Sequence, residues 1–255
     1  MRIAVAGGTG VVGRHTVEAA RAAGHDVVAL SRATGADVVA GVGLDEALQG
    51  VVAVIDATNT TTLSAAKAIE FFETATRTLL AAEKAAGVRH HVALSIVGID
   101  GIDSSYYAGK LAQERAVAAG TVPFTIARAA QFHEFAGQLL AGMSGPVALM
   151  PKLLMRPVAA REVGEHLVRV ASGAPAERAR DLVGPQDEVL SDLARRQLAF
   201  DGVRRRVLGV RLPGAYGRGL ASGSLRGGTD ALQGEITFDE WLRSEDHVRG
   251  VRTRR

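Results

Sequence analysis

Apolar and polar positions fall into blocks along the first half of the chain, and the blocks change character at regular intervals. Ile3 to Ala6 is a short apolar run that stops at a cluster of glycines. Small and apolar residues alternate from there to Ala23, and Gly24 stands where a helix C-cap glycine belongs. Asp26 to Leu30 is a second apolar run, of the kind that forms a buried strand. Strand, glycine turn, helix and strand thus fit within about thirty residues, the size of one βαβ unit. Next come a weak third strand at Asp37 to Val39, a helical turn at Leu44 to Leu48 and a strong strand at Val51 to Asp56. Leu63 to Ala86 predicts a long helix closed by Gly87, and His91 to Val97 a further strand. Tyr106 to Ala119 predicts a helix ending at Gly120, followed by a strand at Phe124 to Ala127. Strands alternating with helices imply an α/β fold of the Rossmann type, a doubly wound parallel sheet with helices on both faces.

After Glu134 the rhythm breaks. Gly137 to Pro157 reads as loop and short helix. Arg161 to Ala171 reads as an amphipathic helix with Val163, Leu167 and Val170 on one face, and Trp241 as the anchor of a short C-terminal helix. Gly202 to Gly228, rich in glycine and arginine, predicts no definite element. The organisation expected is a dinucleotide-binding domain over residues 1–135, with residues 136–255 forming a small substrate lobe on the same core.

Composition narrows the class. Hydrophobic residues make up 47% of the chain and aromatics only 4%, so the core must be mostly aliphatic, which suits parallel strands under Ala-rich helices. A net charge of +3 does not demand a polyanion-binding face, and no nucleic-acid partner is expected. The basic runs at Arg204 to Arg206 and at Arg249, Arg252, Arg254 and Arg255 read as solvated surface. Without cysteine there is neither thiolate catalysis nor a Cys-based zinc site, and the histidines lack metal-ligand spacing, so no metal is expected. With no apolar stretch long enough to cross a bilayer, the expectation is a cytoplasmic protein with no membrane partner.

The candidate chemistry begins in the first turn, which reads Gly7, Gly8, Thr9, Gly10, Val11, Val12, Gly13. Glycines at 7, 10 and 13 permit a tight exit from the strand, backbone approach to a pyrophosphate, and close packing of helix on strand. The phosphates of a dinucleotide would sit on the free N–H groups of the helix N-terminus. At the end of the second strand stand Ser31 and Arg32, where an NAD site usually carries a carboxylate. A hydroxyl and a guanidinium suit a 2′-phosphate, so NADP(H) is favoured over NAD(H). Two alternatives stay open: Arg32 as plain surface, and Asp37 folding back to serve NAD. Thr58 and Asn59, ending the fourth strand, should face the cofactor's ribose. Phe132, His133 and Phe135 are candidates for an apolar substrate pocket. Tyr106 and Lys110, four apart on one helix, share a face, and Ser95 lies at the carboxyl edge of the preceding strand.

These last residues carry a resemblance. With the glycine turn, Ser95, and the run Tyr106-Tyr107-Ala108-Gly109-Lys110, the chain resembles the short-chain dehydrogenase/reductase superfamily. It is more similar to the atypical, NmrA-like branch, through the helix Glu70 to Ala86 leading into Gly87 to Val92, and through Pro123 to Phe132. The likeness covers about the first 135 residues. It implies carbonyl chemistry, with Tyr106 as general acid/base. Lys110 would stabilise the phenolate and hold the nicotinamide ribose, Ser95 would hydrogen-bond the substrate carbonyl, and the cofactor would carry the hydride. The expected activity is therefore NADPH-dependent reduction of a ketone or quinone. The alternatives are a non-catalytic NADP(H) sensor acting through a protein partner and, below it, an epimerase or isomerase.

Overall fold

The computed structural model describes residues 1–249; of the basic tail, Arg252, Arg254 and Arg255 lie outside them. The chain runs β1 (Arg2–Ala6), α1 (Val11–Ala22), β2 (Asp26–Leu30), α2 (Leu44–Ala47), β3 (Ala53–Asp56), α3 (Ala65–Ala86) and β4 (His90–Ile96). There follow α4 (Ser105–Ala118), β5 (Phe124–Ala129), α5 (Glu134–Ala141), β6 (Val147–Pro151), β7 (Leu154–Met155) and α6 (Ala160–Ser172). The rest is β8 (Glu177–Arg178), β9 (Leu182–Val183), β10 (Glu188–Val189), α7 (Leu190–Phe200), β11 (Arg206–Val210), α8 (Gly214–Ala221), β12 (Leu232–Gln233) and α9 (Phe238–Arg243).

Two compact units emerge, and neither is continuous in sequence. The first comprises Met1–Ala129 and Ala160–Arg180, the second Ala130–Ala159 and the residues from Asp181 onward. The sequence pattern suggests a single boundary after residue 135, whereas the chain passes between units three times.

In the first unit the strands pair in parallel, in the order β2-β1-β3-β4-β5-β8. Ile3 to Ala6 and all of β3 are buried, as expected of strands covered on both faces. Ala4, Ala6 and Val54 pack with Leu44, Leu48, Leu79 and Leu80 into one apolar cluster, which places α2 and α3 on that face. Helix α6 joins this unit because it packs on α1 at very short range. A Cβ on Gly164 would stand 2.7 Å from the backbone of His15 and Thr16. Helices α3 and α4 are equally close, since a Cβ on Gly109 would lie 2.7 Å from that of Ala68.

The weak strand expected at Asp37 to Val39 does not form. The Asp37 carboxylate instead accepts hydrogen bonds from the Val39 and Ala40 N–H groups, and the Gly41 N–H donates to the Asp37 carbonyl. A short acidic side chain that caps its own backbone competes with sheet pairing. In the second unit, β11 pairs in parallel with β6, β12 in parallel with β9, and β10 antiparallel with β7. Strand β11 and helix α8 fall in the stretch that the sequence left unassigned. The reason is visible on β6 and β11, where Leu149 and Leu208 are exposed and blur the apolar alternation.

Candidate functional site

The glycine turn follows β1 and opens α1, as expected. Gly7 has φ +74°, in the left-handed region, and a Cβ there would lie 2.7 Å from the Ala57 carbonyl oxygen. A Cβ on Gly13 would stand 2.0 Å from the Gly7 oxygen, so α1 can start against the turn only with glycine at this position. Gly10 is the N-cap of α1 and brings no side chain to cap it, while Thr9 and Gly10 are exposed. Val11 is half-buried, and Val12 is buried. The first N–H groups of a helix have no partner within it. Here no side chain at the cap takes one up, which leaves a cradle of backbone donors and positive dipole that fits a pyrophosphate.

At the end of β2, Ser31 and Thr34 form a reciprocal cap on a short 3-10 turn, and Arg32 stays exposed. Asp37 is committed to its own turn. The bonds from Ala40 and Val39 hold its carboxyl below the usual range, helped by the nearby Arg32 charge. Of the two charged side chains, Asp37 is thus taken up by its own turn, while Arg32 is exposed.

The loops after β1 and β3 meet, because Gly7 lies against Ala57. The β3 loop leads in turn to α4. The Tyr106 hydroxyl donates to Asn59 Oδ1 at 2.7 Å, and Asn59 Oδ1 also accepts from the Thr60 N–H. Burial pushes the Tyr106 phenol above its ordinary range. Just before it, Ser105 sits at φ +54°, an unusual region for a non-glycine residue, with its hydroxyl donating to the Leu63 carbonyl at 2.9 Å.

Lys110, one turn further along α4, is only 3% exposed. Its Nζ donates to the Leu94 carbonyl at 2.6 Å and to Gln113 Oε1, and it lies 4.6 Å from the centre of the Phe72 ring. Burial lowers its pKa to about 8, against the opposing pull of Asp56 and Glu114. Phe72 also packs edge-on against Tyr106, with ring centres 5.7 Å apart, so one aromatic ring touches both members of the pair. The Ser95 hydroxyl, at the carboxyl end of β4, is buried without a hydrogen-bond partner. Thr58 donates through both N–H and hydroxyl to Asp56 Oδ1, at 2.9 and 2.6 Å. The expected polar residues of the first unit therefore gather at one sheet edge, but each of Tyr106, Lys110, Thr58 and Asn59 already has protein partners.

Three contributors escaped the sequence. Asp56 and Gln113 are linked by a bond from Gln113 Nε2 to Asp56 Oδ2 at 2.8 Å. A carboxylate closing a wholly buried apolar strand was the available signal for the first; a Gln one turn after Lys110 was the signal for the second. The third is the side-chain role of Arg128, 2% exposed, whose guanidinium binds Glu114 at 2.7 and 2.6 Å and Asp100 at 2.6 and 2.8 Å. This fork fixes the loop between β4 and α4, from which Tyr106 departs, and it holds the Asp100 carboxyl below its usual range.

In the second unit, Phe132 and Phe135 are half-buried, and Phe132 bridges to Val158 through backbone. His133 is occupied structurally. Its Nε2 bonds the Ile236 carbonyl at 2.9 Å, and its ring packs on Phe238 and Trp241. Burial drops its pKa to about 4, so the imidazole is neutral and pins α9.

The NAD dependent epimerase/dehydratase family matches this chain over residues 3–128, just under half of its 255 residues. No curated protein matches it in sequence. Among solved structures, it is similar to the NADPH-dependent quinone oxidoreductase QOR2 of Escherichia coli in complex with NADPH. That likeness has TM-score 0.71 and 18% identity, over 94% of this chain and 98% of the other. The triphenylmethane reductase of a Citrobacter species, complexed with NADP(H), gives 0.70 at 17% identity, over 95% and 99% of the two chains. MoeE5 in complex with UDP-glucuronic acid and NAD gives 0.71 at 17% identity, over 96% and 98%. The family match and the shared fold agree with the Rossmann-type unit that the glycine turn predicts.

Proposed function

Taking the chain as an NAD(P)-binding protein of the short-chain dehydrogenase/reductase type, we propose that it is an NADPH-dependent reductase of a carbonyl compound, a ketone or a quinone. The observation that carries this reading is the run of contacts from Gly7 to Ala57 and from Asn59 to Tyr106. It sets a phenol beside the glycine cradle at the carboxyl edge of the sheet, where open α/β folds bind their ligands. Gly7, Thr9, Gly10, Val11, Val12 and Gly13 would hold the pyrophosphate, Ser31 and Arg32 the 2′-phosphate, and Lys110 the nicotinamide ribose. When bound, the cofactor supplies a hydride to the carbonyl carbon.

The chain's own residues supply the rest. Tyr106 exchanges its bond to Asn59 for one to the carbonyl oxygen and gives that oxygen the proton that completes the alcohol. Ser95, with its hydroxyl buried and unpartnered, holds the same oxygen in place. A phenol raised by burial is a weak acid, so the cation of Lys110 is needed to lower the cost of the phenolate.

The test is NADPH oxidation against a panel of quinones and ketones, with the Tyr106→Phe variant alongside. Turnover that the variant loses supports the reductase. One observation favours a second reading, a regulator that binds NADP(H) without turnover: Tyr106 and Lys110 each bond to other groups rather than to one another. Tight binding without oxidation of NADPH by any carbonyl would favour it.

A further inference from the structure

We propose that Gln113 is a positioning residue for Lys110, its side-chain amide linking the carboxylate of Asp56 to the lysine ammonium and fixing that ammonium against β4. The inference builds on the proposed reductase only in taking Lys110 to face the cofactor.

The geometry is a continuous buried chain of polar atoms. Thr58 donates twice to Asp56 Oδ1, Gln113 Nε2 donates to Asp56 Oδ2, and Lys110 Nζ donates to Gln113 Oε1 and to the Leu94 carbonyl. Asp56, Gln113 and Lys110 are all buried. An amide is the neutral side chain suited to this place, because it accepts from the ammonium with one end and donates to the carboxylate with the other. A polar chain inside a core is tolerated when its members are satisfied, and here the amide satisfies two charged groups at once. Three elements are tied together by it: β3 through Asp56, β4 through Leu94, and α4 through Gln113 and Lys110. Thr58, at one end, closes the strand beside the glycine cradle, so the arrangement couples that edge to the lysine.

The charges around Lys110 are few. Asp56 on β3 and Glu114 on α4 both favour its cation, and Glu114 is itself bound by Arg128 of β5. Helix α3 presents the Phe72 ring to it. Other titratable groups on the packed elements have partners of their own, among them Tyr106, bonded to Asn59, the mutual pair of Glu83 on α3 and His91 on β4, His90 of β4, bonded to Thr125, and the pair of Arg77 and Glu73 on α3. None of these replaces the amide as a direct link from Asp56 to the lysine.

The chain holds only four lysines, Lys67, Lys84, Lys110 and Lys152, so their side-chain signals can be followed one by one by NMR through a pH titration. In the wild type one lysine, absent from Lys110→Met, should titrate near 8. Gln113→Met removes the acceptor and should lower that midpoint by about one unit; Gln113→Glu adds a negative partner and should raise it by about as much. The pH above which NADPH affinity declines should move in the same directions. Gln113→Met also leaves Asp56 Oδ2 without its donor, and Gln113→Glu keeps an acceptor for the lysine should the first variant fold poorly. A Lys110 midpoint unchanged in a folded variant of either kind overturns the proposal. Failure of the wild type to bind NADPH overturns the reductase reading instead, and leaves the lysine titration to be judged separately.

Discussion

The glycine turn and the Tyr106 to Lys110 turn of α4 lie in the same unit, yet they are satisfied in opposite ways. The turn from Gly7 to Gly13 has its shape forced by backbone contacts, and its cap carries no side chain, so its donors are left for something outside the protein. Tyr106 and Lys110 already have partners: a half-buried phenol bonded to Asn59, a buried ammonium bonded to Leu94 and Gln113, and the Phe72 ring against both. The first region is prepared for a ligand before the ligand arrives. The second must exchange at least one of its internal bonds to do chemistry. On the proposed reading, binding rests on backbone sterics, whereas turnover would depend on polar groups whose partners can be replaced.

The largest break in this comparison comes from Tyr106→Phe. Loss of a general acid typically costs about 10²–10⁴ in rate, so NADPH oxidation should fall by that order. NADPH affinity, measured by fluorescence, should change little, because the cradle does not involve the phenol. Equal losses of binding and turnover would erase the distinction between the regions.

Gly13→Ala attacks the other side. With its Cβ 2.0 Å from the Gly7 oxygen, the turn must open, and NADPH binding should weaken by roughly a hundredfold. Calorimetric melting of the same variant checks that the unit still folds.

A third measurement sharpens the contrast through pH. Lys110 titrates at about 8 in the folded chain, below the unfolded value of about 10.4. Between those values the unfolded chain keeps the proton and the folded chain releases it, so stability contributed by this group rises with pH across the window. Urea denaturation should show Lys110→Met lacking that rise, which amounts to about 2 kcal/mol between pH 8 and 10. A variant that tracks the wild type across the window would mean that the lysine is not buried as a strained cation.

The smallest effect is expected at the exposed end of the cofactor site. Arg32→Ala should weaken NADPH by about tenfold, equal to about 1.4 kcal/mol, and leave NADH unchanged. Equal weakening of both nucleotides would assign Arg32 a general electrostatic role.

How much of this was legible in the sequence follows the same division. Strands such as Ile3 to Ala6, buried on both faces, announce themselves as unbroken apolar runs, and positive-φ glycines such as Gly24 and Gly87 mark helix ends without tertiary help. Gly7 and Gly13 are also local requirements, and the motif alone places them. Gln113 and Asp56 are different: they lie 57 residues apart and become a pair only when α4 packs on β4, the strand beside β3. Asp37 misled for a local reason, its carboxylate taking the N–H groups of the two residues at 39 and 40 and forming a turn in place of a strand. His133, a candidate for the substrate pocket in the sequence, has a structural role that no local pattern shows, because its acceptor, Ile236, lies a hundred and three residues away. The two-stranded pairing of β6 with β11 was hidden because exposed leucines spoil the alternation that would mark a half-buried strand.

The most direct test of the account is fluorescence titration of the wild-type chain with NADPH and with NADH. Saturable binding of NADPH, about tenfold or more tighter than NADH, is the predicted result. Binding of neither nucleotide would contradict the claim that the turn from Gly7 to Gly13 is a dinucleotide cradle, and the proposed chemistry would fall with it.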